Sequence, residues 1–131
     1  MDRLILYRIG HRFPVLGRLC TLLNLMLFRV YIPSKCTIGR NCILAYGATG
    51  LVIHPRAVIG NDCLLSPGVV IGGRGESYEV PVIEDRVSIF PGAKVLGPIR
   101  IGEGAQIGAN AVVVEDLEKG RVAVAPKARI L

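Results

Sequence analysis

The stretch IEDRVSIFPGAKVLGPIRIGEGAQIGANAVV, residues 83–113, decides the fold because an aliphatic residue returns at every sixth position. The series is Ile83, Ile89, Val95, Ile101, Ile107 and Val113. An earlier run keeps the same interval through Ile53, Ile59, Leu65 and Ile71. This period is neither the roughly 3.6 residues of a helix nor the alternation of a strand, so each unit must be a short strand plus a tight turn. The pattern predicts a parallel β-helix.

The position four residues after the aliphatic is small or β-branched in nearly every unit. Its occupants are Ala57, Cys63, Val69, Val87, Ala93, Ile99, Ala105 and Ala111. If three six-residue units form one triangular coil, equivalent residues of successive coils stack roughly 4.8 Å apart, and the narrow interior has room beside each aliphatic only for a small side chain. A sandwich of buried strands gives no reason for a fixed six-residue phase. We therefore predict an all-β triangular prism over residues 32–131 behind a helical segment over residues 1–31.

Two departures from the period mark candidate loops. Leu44 and Ile53 are nine residues apart, which leaves three surplus residues within AYGATGLV, residues 45–52. The stretch GGRGESYEVPV, residues 72–82, keeps the count but has Ser77 where an aliphatic is due, so it is predicted to protrude. Because insertions in a solenoid gather on the binding face, we expect both departures to overlook one cleft.

The N-terminal segment predicts two short helices separated at Pro14. The uncharged run between Arg18 and Arg29 is too short to span a bilayer. The helices are expected to cap the prism and to pack on a neighbouring subunit, while peripheral contact with a membrane surface through the arginines is a further alternative. The formal charge of +6 is concentrated here, but no nucleic-acid recognition motif accompanies it, so no nucleic-acid partner is predicted.

The four cysteines do not form a metal-binding pattern. Cys36, Cys42 and Cys63 fall on the small inward position, and Cys20 lies in an apolar run. They are interpreted as reduced thiols that pack as small apolar side chains. Reduced thiols predict a cytoplasmic protein, with the inner face of the membrane as a further expectation.

Three segments resemble the hexapeptide-repeat acyltransferases, and within them the serine acetyltransferase-like and polysaccharide O-acetyltransferase group. They are IHPRAVIGND (53–62), IGGRG (71–75) and PGAKVLGPIRIGEGAQIGANAVVVED (91–116). The resemblance covers about residues 30–131. It implies a left-handed β-helix, an exception to the usual right-handed crossover. It also implies a homotrimer that moves an acetyl group from acetyl-CoA, without a metal, to a hydroxyl of a serine-like or saccharide acceptor.

The resemblance also suggests where acetyl-CoA binds. In the family, the slot for its pantetheine arm lies between adjacent prisms and is lined by backbone amides and carbonyls. The matching residues in this sequence are Gly92, Ala93, Gly97, Gly108 and Ala109. Lys127 and Arg129, near the end of the chain, are the candidates for the CoA phosphates.

The general base is where this sequence departs from the family. Serine acetyltransferases carry a histidine in an Asp-His-Ala-Thr-Gly context, where this chain has Tyr46 or Gly47, and a second histidine in an Arg-His-Pro context, where it has Val80. His54 is therefore the predicted base, because an imidazole titrates near neutral pH. Glu79 is its predicted partner, alongside Glu76 and Tyr78, and Tyr46 is placed near the acceptor.

The histidine content bears on two other function classes. The missing histidines favour a catalytically degenerate scaffold or partner subunit. A zinc enzyme of the carbonic anhydrase type is excluded because it needs three histidine ligands, and the chain has only His11 and His54. His11 is predicted to lie on the surface.

Overall fold

The computed structural model describes residues 4–131 and shows a parallel β-helix with two helices at its N-terminal end. The helices are α1 (Leu4–Arg12) and α2 (Gly17–Phe28), joined by a 3-10 turn, Pro14–Leu16. The strands are β1 (Thr37–Ile38), β2 (Ile43–Leu44), β3 (Val52–Ile53), β4 (Val58–Ile59), β5 (Leu64–Leu65), β6 (Val70–Gly72), β7 (Val82–Ile83), β8 (Ser88–Ile89), β9 (Lys94–Leu96), β10 (Arg100–Ile101), β11 (Gln106–Ile107), β12 (Val112–Val113) and β13 (Val122–Ala123).

The strands form three parallel sheets, one on each side of a triangular prism. The first face contains β1, β4, β7 and β10, the second β2, β5, β8, β11 and β13, and the third β3, β6, β9 and β12. Consecutive strands of the chain lie on different faces, so each coil contributes one strand to each sheet. The prediction of a parallel β-helix is confirmed.

The pairing register locates the surplus residues. Val82 pairs with Arg100, which is the regular coil of 18 residues, whereas Thr37 pairs with Val58 and Val58 with Val82. The longer intervals reflect a 3-10 turn between β2 and β3, Ala45–Ala48, and a loop between β6 and β7, residues 73–81. The loop adds six residues to its coil, so residues 72–82 do not contain a second hexad. The predicted protrusion is confirmed there.

The interior of the prism is aliphatic, as the period predicts. Ile53, Ile83, Ile101 and Ile107 are fully buried, and the small residues of the neighbouring column, such as Ala57 and Ala105, are buried beside them. Cys36, Cys42 and Cys63 are also buried, and all four cysteines are free. Burial raises the pKa of Cys36 to about 12, which keeps this thiol protonated and favours its packing role.

Helix α1 closes the N-terminal end of the prism. Leu4 and Tyr7 belong to the buried core, and the Tyr7 hydroxyl donates to the carbonyl oxygen of Cys36 and accepts from the N–H of Ile38. This N–H belongs to β1, the edge strand of the first face, where no further strand pairs with it. The Tyr7 hydroxyl accepts its hydrogen bond in place of a neighbouring strand. At the edge of the third face, Tyr31 pairs with Val52. The domain boundary at residue 31 stays a prediction, and residues 1–3 lie outside the described residues.

Candidate functional site

Candidate site residues lie along the two edges of the third face. The edge that follows this face, here called the histidine corner, comprises residues 54–57, 73–81, 97–99 and 114–116. The edge that precedes it, the tyrosine corner, comprises residues 45–51, 66–69, 90–93 and 108–111. His54, Glu79 and Gly97 lie at the histidine corner, whereas Tyr46, Gly92, Ala93, Gly108 and Ala109 lie at the tyrosine corner.

At the histidine corner, Arg56 holds the 73–81 loop against the coil beneath it. Its Nε donates to the carbonyl oxygen of Tyr78 at 3.1 Å, and its Nη2 donates to the same oxygen. The guanidinium also lies over the Tyr78 ring, 4.0 Å from the centroid. A planar cation that makes both contacts fixes the loop more tightly than a lysine would.

His54 is half-buried in the turn beneath this loop. Its Nδ1 accepts a hydrogen bond of 3.1 Å from the N–H of Arg56. With Nδ1 accepting, the neutral ring carries its proton on Nε2, so the side chain can donate there as it stands. Desolvation, followed by the positive charge of Arg56, lowers the pKa of His54 below its ordinary value of 6.5. The imidazole is therefore neutral at neutral pH.

A groove of about 510 Å³ lies at the histidine corner and extends onto the first face. Its lining includes Arg56, Tyr78, Glu79, Arg100 and Asp116. Two of these charges are engaged nearby, because Arg100 pairs with Glu84 and Asp116 accepts from the N–H of Arg100 at 2.8 Å. The structure thus brings Glu79 and His54 to one corner, through Arg56 and its contacts with the loop.

The tyrosine corner has an unusual backbone. Tyr46, Gly47 and Ala48 have φ values of 50°, 72° and 48°, so three consecutive residues adopt a left-handed conformation. Two of them carry a Cβ, which makes this conformation costly, and Ala48 is fully buried. The turn leaves the Tyr46 side chain 90% exposed.

Lys94 crosses the same corner and was missed by the sequence reasoning. Its Nζ donates to the carbonyl oxygens of Gly68 at 2.9 Å and Gly92 at 2.6 Å. A signal was present in the sequence, since the stacked positions below and above it on the third face are Val70 and Val112. Lys94 places a positive charge next to the predicted cofactor residues Gly92 and Ala93.

The remaining predicted site residues are separate from both corners. Lys127 and Arg129 are exposed in the segment beyond β13, which has no regular secondary structure. His11 is exposed, as predicted, and its Nδ1 donates to the carbonyl oxygen of Ser34 at 2.8 Å. Within residues 4–131, no group of three or more His, Cys, Asp or Glu side chains is placed to hold a metal ion.

The expectation that both departures from the period overlook one cleft is wrong for a single chain. The 45–48 turn joins the second face to the third, whereas the 73–81 loop joins the third face to the first. Tyr46 and His54 therefore lie at opposite ends of β3. A site that uses both corners needs two copies of the chain.

Comparison with known proteins identifies the family to which the chain belongs. A family model described as "Bacterial transferase hexapeptide (six repeats)" matches residues 81–114. The serine acetyltransferase of Helicobacter pylori is 36% identical over 135 residues, which covers 98% of this chain and 78% of that protein. The chain belongs to the serine acetyltransferase family. The acyltransferase class predicted from the sequence is confirmed at this level.

Solved serine acetyltransferases share the fold over nearly the whole chain. The Neisseria gonorrhoeae enzyme in complex with serine is 34% identical with a TM-score of 0.86, and covers 98% of this chain and 55% of its own. The Brucella abortus enzyme in complex with coenzyme A is 30% identical with a TM-score of 0.85, and covers 96% of this chain and 53% of its own. The chain thus spans about half the length of these structures. The predicted left-handed β-helix is confirmed by them.

The two histidines that the resemblance leads us to expect in the motifs are absent from this chain. Tyr46 or Gly47, both in the left-handed turn of the tyrosine corner, stands at the first of these positions, and Val80, buried in the 73–81 loop, stands at the second. Gly47 and Val80 have no side-chain group that can transfer a proton, and neither position carries an imidazole. The roles of His54, Tyr46 and Glu79 stay predictions.

Proposed function

We propose that this protein is an acetyl-CoA-dependent O-acetyltransferase that acts on a hydroxyl of a small acceptor, with serine as the first candidate and a saccharide as the second. The proposal rests mainly on one observation. Except for Lys127 and Arg129 in the C-terminal tail, all predicted site residues lie along the two edges of the third face, and the relatives of this chain are serine acetyltransferases. That solved relatives contain serine or coenzyme A supports the choice of acceptor and donor.

The proposed active unit is a homotrimer. The outward side chains of the third face are largely apolar, because Val52, Val70 and Val112 stack along it with Lys94. Packing the histidine corner of one copy against the tyrosine corner of the next would bring His54 close to Tyr46 of a second copy. The slot between them would be lined by the backbone at Gly92, Gly97 and Gly108.

In the proposed reaction, the acceptor oxygen attacks the thioester carbonyl carbon of acetyl-CoA, the C–S bond breaks, and the CoA sulfur leaves with a proton. His54 takes the proton of the hydroxyl and passes it to the sulfur. Because Nδ1 accepts from Arg56 in the structure, rotation of the half-exposed ring about the Cβ–Cγ bond must free this nitrogen first. Glu79 is proposed to orient the ring, and Tyr46 to contact the acceptor. Lys127 and Arg129 are proposed to meet the CoA phosphates, and no metal takes part.

A second candidate function is a non-catalytic scaffold or partner subunit. The absence of both motif histidines favours it, since this chain has Tyr46 or Gly47 at the first position and Val80 at the second. Cytoplasmic location, which the reduced cysteines favour, stays a prediction.

The deciding experiment is thiol release from acetyl-CoA in the presence of serine and of a panel of sugars, with O-acetyl product identified by mass spectrometry. Acceptor-dependent release supports the proposal. No turnover on any acceptor by a folded protein contradicts it and favours the scaffold. Light scattering should show a trimer. Val112→Glu, on the third face, is expected to dissociate it and abolish turnover, whereas the control Val122→Glu, on the second face, is not.

A further inference from the structure

Helix α2 turns its leucines outward. Its side chains at Leu19, Leu22, Met26 and Leu27 are more than half exposed, and Val15, in the turn before the helix, is 96% exposed. Val15, Leu19, Leu22 and Met26 form one continuous side of the helix, because positions three and four apart are neighbours on its surface, and Leu27 follows Met26. These five residues are here called the α2 apolar face. A surface helix of an isolated globular protein normally shows the opposite pattern.

The inward side of α2 explains why the helix cannot rotate to bury its leucines against α1. Gly17 and Cys20 are buried where the helix approaches α1, and a Cβ on Gly10 would already lie 3.0 Å from the Cβ of Cys20. Asn24 is fully buried on this side, and its amide finds no hydrogen-bond partner among the described residues. The small inward residues allow close packing of the two helices, so the apolar side must face outward.

The N-terminal part of the chain, which contains α2, carries cations that form no ion pair with a described residue. Residues 4–61 contain seven Lys or Arg and no Asp or Glu. The ion pairs formed by the described part of the chain all lie between residues 84 and 119. Arg8, Arg12, Arg18, Arg29 and Lys35 are exposed. The cations near α2 are therefore available to an anionic partner.

A groove beside α2 combines both features. It has a volume of about 340 Å³, and Leu22, Leu25 and Tyr31 supply its apolar lining while Arg18 and Lys35 supply its charge. The groove suits an anion with an apolar portion. Within residues 4–131 no helix has the length and apolar character to cross a bilayer.

We propose that the α2 apolar face lies in the interfacial region of an anionic phospholipid membrane, with Arg18 and Lys35 at the lipid phosphates. A second copy of this chain fits the face less well, because it would bring a second set of the same cations against the first. A bilayer rich in anionic lipid accepts the leucines and neutralises the arginines together. This inference does not depend on the proposed catalytic function.

The test is flotation of the full chain with vesicles of phosphatidylcholine alone or of phosphatidylcholine with phosphatidylglycerol. We expect binding to the anionic vesicles, weak binding to the neutral ones, and loss of most of the difference in high salt. Arg18→Ala combined with Lys35→Ala should weaken partitioning onto anionic vesicles roughly thirtyfold. The matched control is Arg74→Ala combined with Arg121→Ala, two exposed arginines of the second half of the chain, which should change it little.

The apolar contribution is tested with Leu22→Ser combined with Met26→Ser, at positions 51% and 71% exposed. Val122→Ser combined with Val124→Ser is the control, because these side chains, 58% and 76% exposed, lie at the other end of the prism. The first pair should reduce binding more than about tenfold, and the second should not. Absence of binding, equal binding to both vesicles, or equal effects of the two pairs would overturn the proposal. So would a smaller oligomer for the Leu22/Met26 variant in light scattering, which would assign the face to a second copy.

Discussion

The guanidinium of Arg56 stacks on the ring of Tyr78 and donates to its carbonyl oxygen, although the two residues are 22 positions apart in the chain. The backbone N–H of the same arginine donates to Nδ1 of His54. One residue therefore connects the predicted catalytic histidine to the loop that lines the neighbouring groove. Changes at Arg56 should affect both.

Replacing His54 by Ala is expected to abolish acetyl transfer while leaving CoA binding intact, because the base is lost and the cofactor residues are not. His54→Gln separates two roles, since glutamine can donate a hydrogen bond but cannot take a proton at neutral pH. Both variants should be inactive in the thiol-release assay, with CoA affinity measured by calorimetry as the control. Activity retained by His54→Gln would reassign the residue to hydrogen-bond donation.

The pH dependence of the reaction rate should reflect the lowered pKa of His54. A base works only when deprotonated, so the rate should rise with pH and the midpoint of this rise should lie below the ordinary value of 6.5. Arg56→Ala removes one of the two causes of the shift, so the pKa of His54 should rise and the profile should move to higher pH. Arg56→Lys keeps the charge and should leave the profile in place. Equal shifts in both variants would show that the charge is not responsible.

The same two variants test the anchoring of the 73–81 loop. Both lose the planar stacking on Tyr78 and the paired donors to its carbonyl oxygen. Limited trypsin digestion should therefore cut after Arg74, within this loop, faster in both variants than in the unmodified protein. Mass spectrometry identifies the fragment, and cleavage after the exposed Arg121 is the internal control. An unchanged rate after Arg74 would mean that the loop is held by other contacts.

Tyr7→Phe should lower the free energy of unfolding by about 1–3 kcal/mol, because the N–H of Ile38 and the carbonyl oxygen of Cys36 lose their partner in a buried place. Tyr78→Phe is the control, since it keeps the ring that Arg56 contacts. Denaturant titration measures both. Similar losses in the two variants would contradict a capping role for the Tyr7 hydroxyl.

The raised pKa of Tyr7 predicts that the stabilisation provided by its hydroxyl decreases at alkaline pH. Burial, followed by the nearby Cys36, raises its pKa from 10.0 to about 12, so the folded state holds this proton more tightly than the unfolded state. The resulting stability is fully present below pH 10 and is lost as the pH rises through about 12. The gap in stability between the unmodified protein and Tyr7→Phe should therefore narrow over this range. A difference in unfolding free energy that stays constant with pH would be evidence against the raised pKa of Tyr7.

Gly60→Ala should destabilise the prism by about 1–3 kcal/mol. A Cβ there would lie 2.4 Å from Oδ1 of Asp85 and 2.7 Å from its backbone nitrogen, so the coil above must move. Asp85 would also lose its bond to the N–H of Asn61. Gly73→Ala is the control, because its nearest neighbour would be 3.8 Å away. Thermal unfolding of the two variants decides the matter.

The six-residue phase was sufficient to predict which side chains point inward, because Ile53 and Ile107 obey the same geometry wherever their coil lies. It could not distinguish two hexads from one hexad and a loop between Ile71 and Ile83, because an insertion of six residues leaves the phase unchanged. The loop was indicated only by the missing aliphatic at Ser77.

The site was less accessible from the sequence. Arg56 and Tyr78 have no periodic relationship, and their contact depends on how a loop folds back on the coil below. Lys94 forms its bonds with carbonyl oxygens, which no side-chain pattern reveals. The separation of Tyr46 from His54 follows from which pair of faces each turn connects, and this became clear only when the strands were assigned to sheets.

Stacking of the coils determines how far each residue lies from the helical end of the prism. Each turn of the prism advances by one strand spacing, roughly 4.8 Å, so a residue's place in the chain fixes its elevation above helices α1 and α2. If α2 lies on a lipid surface, the number of coils between α2 and the 73–81 loop determines the height of the loop above the bilayer. A membrane-bound acceptor would have to extend over this distance to reach the site. Adding one whole coil below this loop would raise the reacting groups by that spacing while keeping each on its own side of the prism.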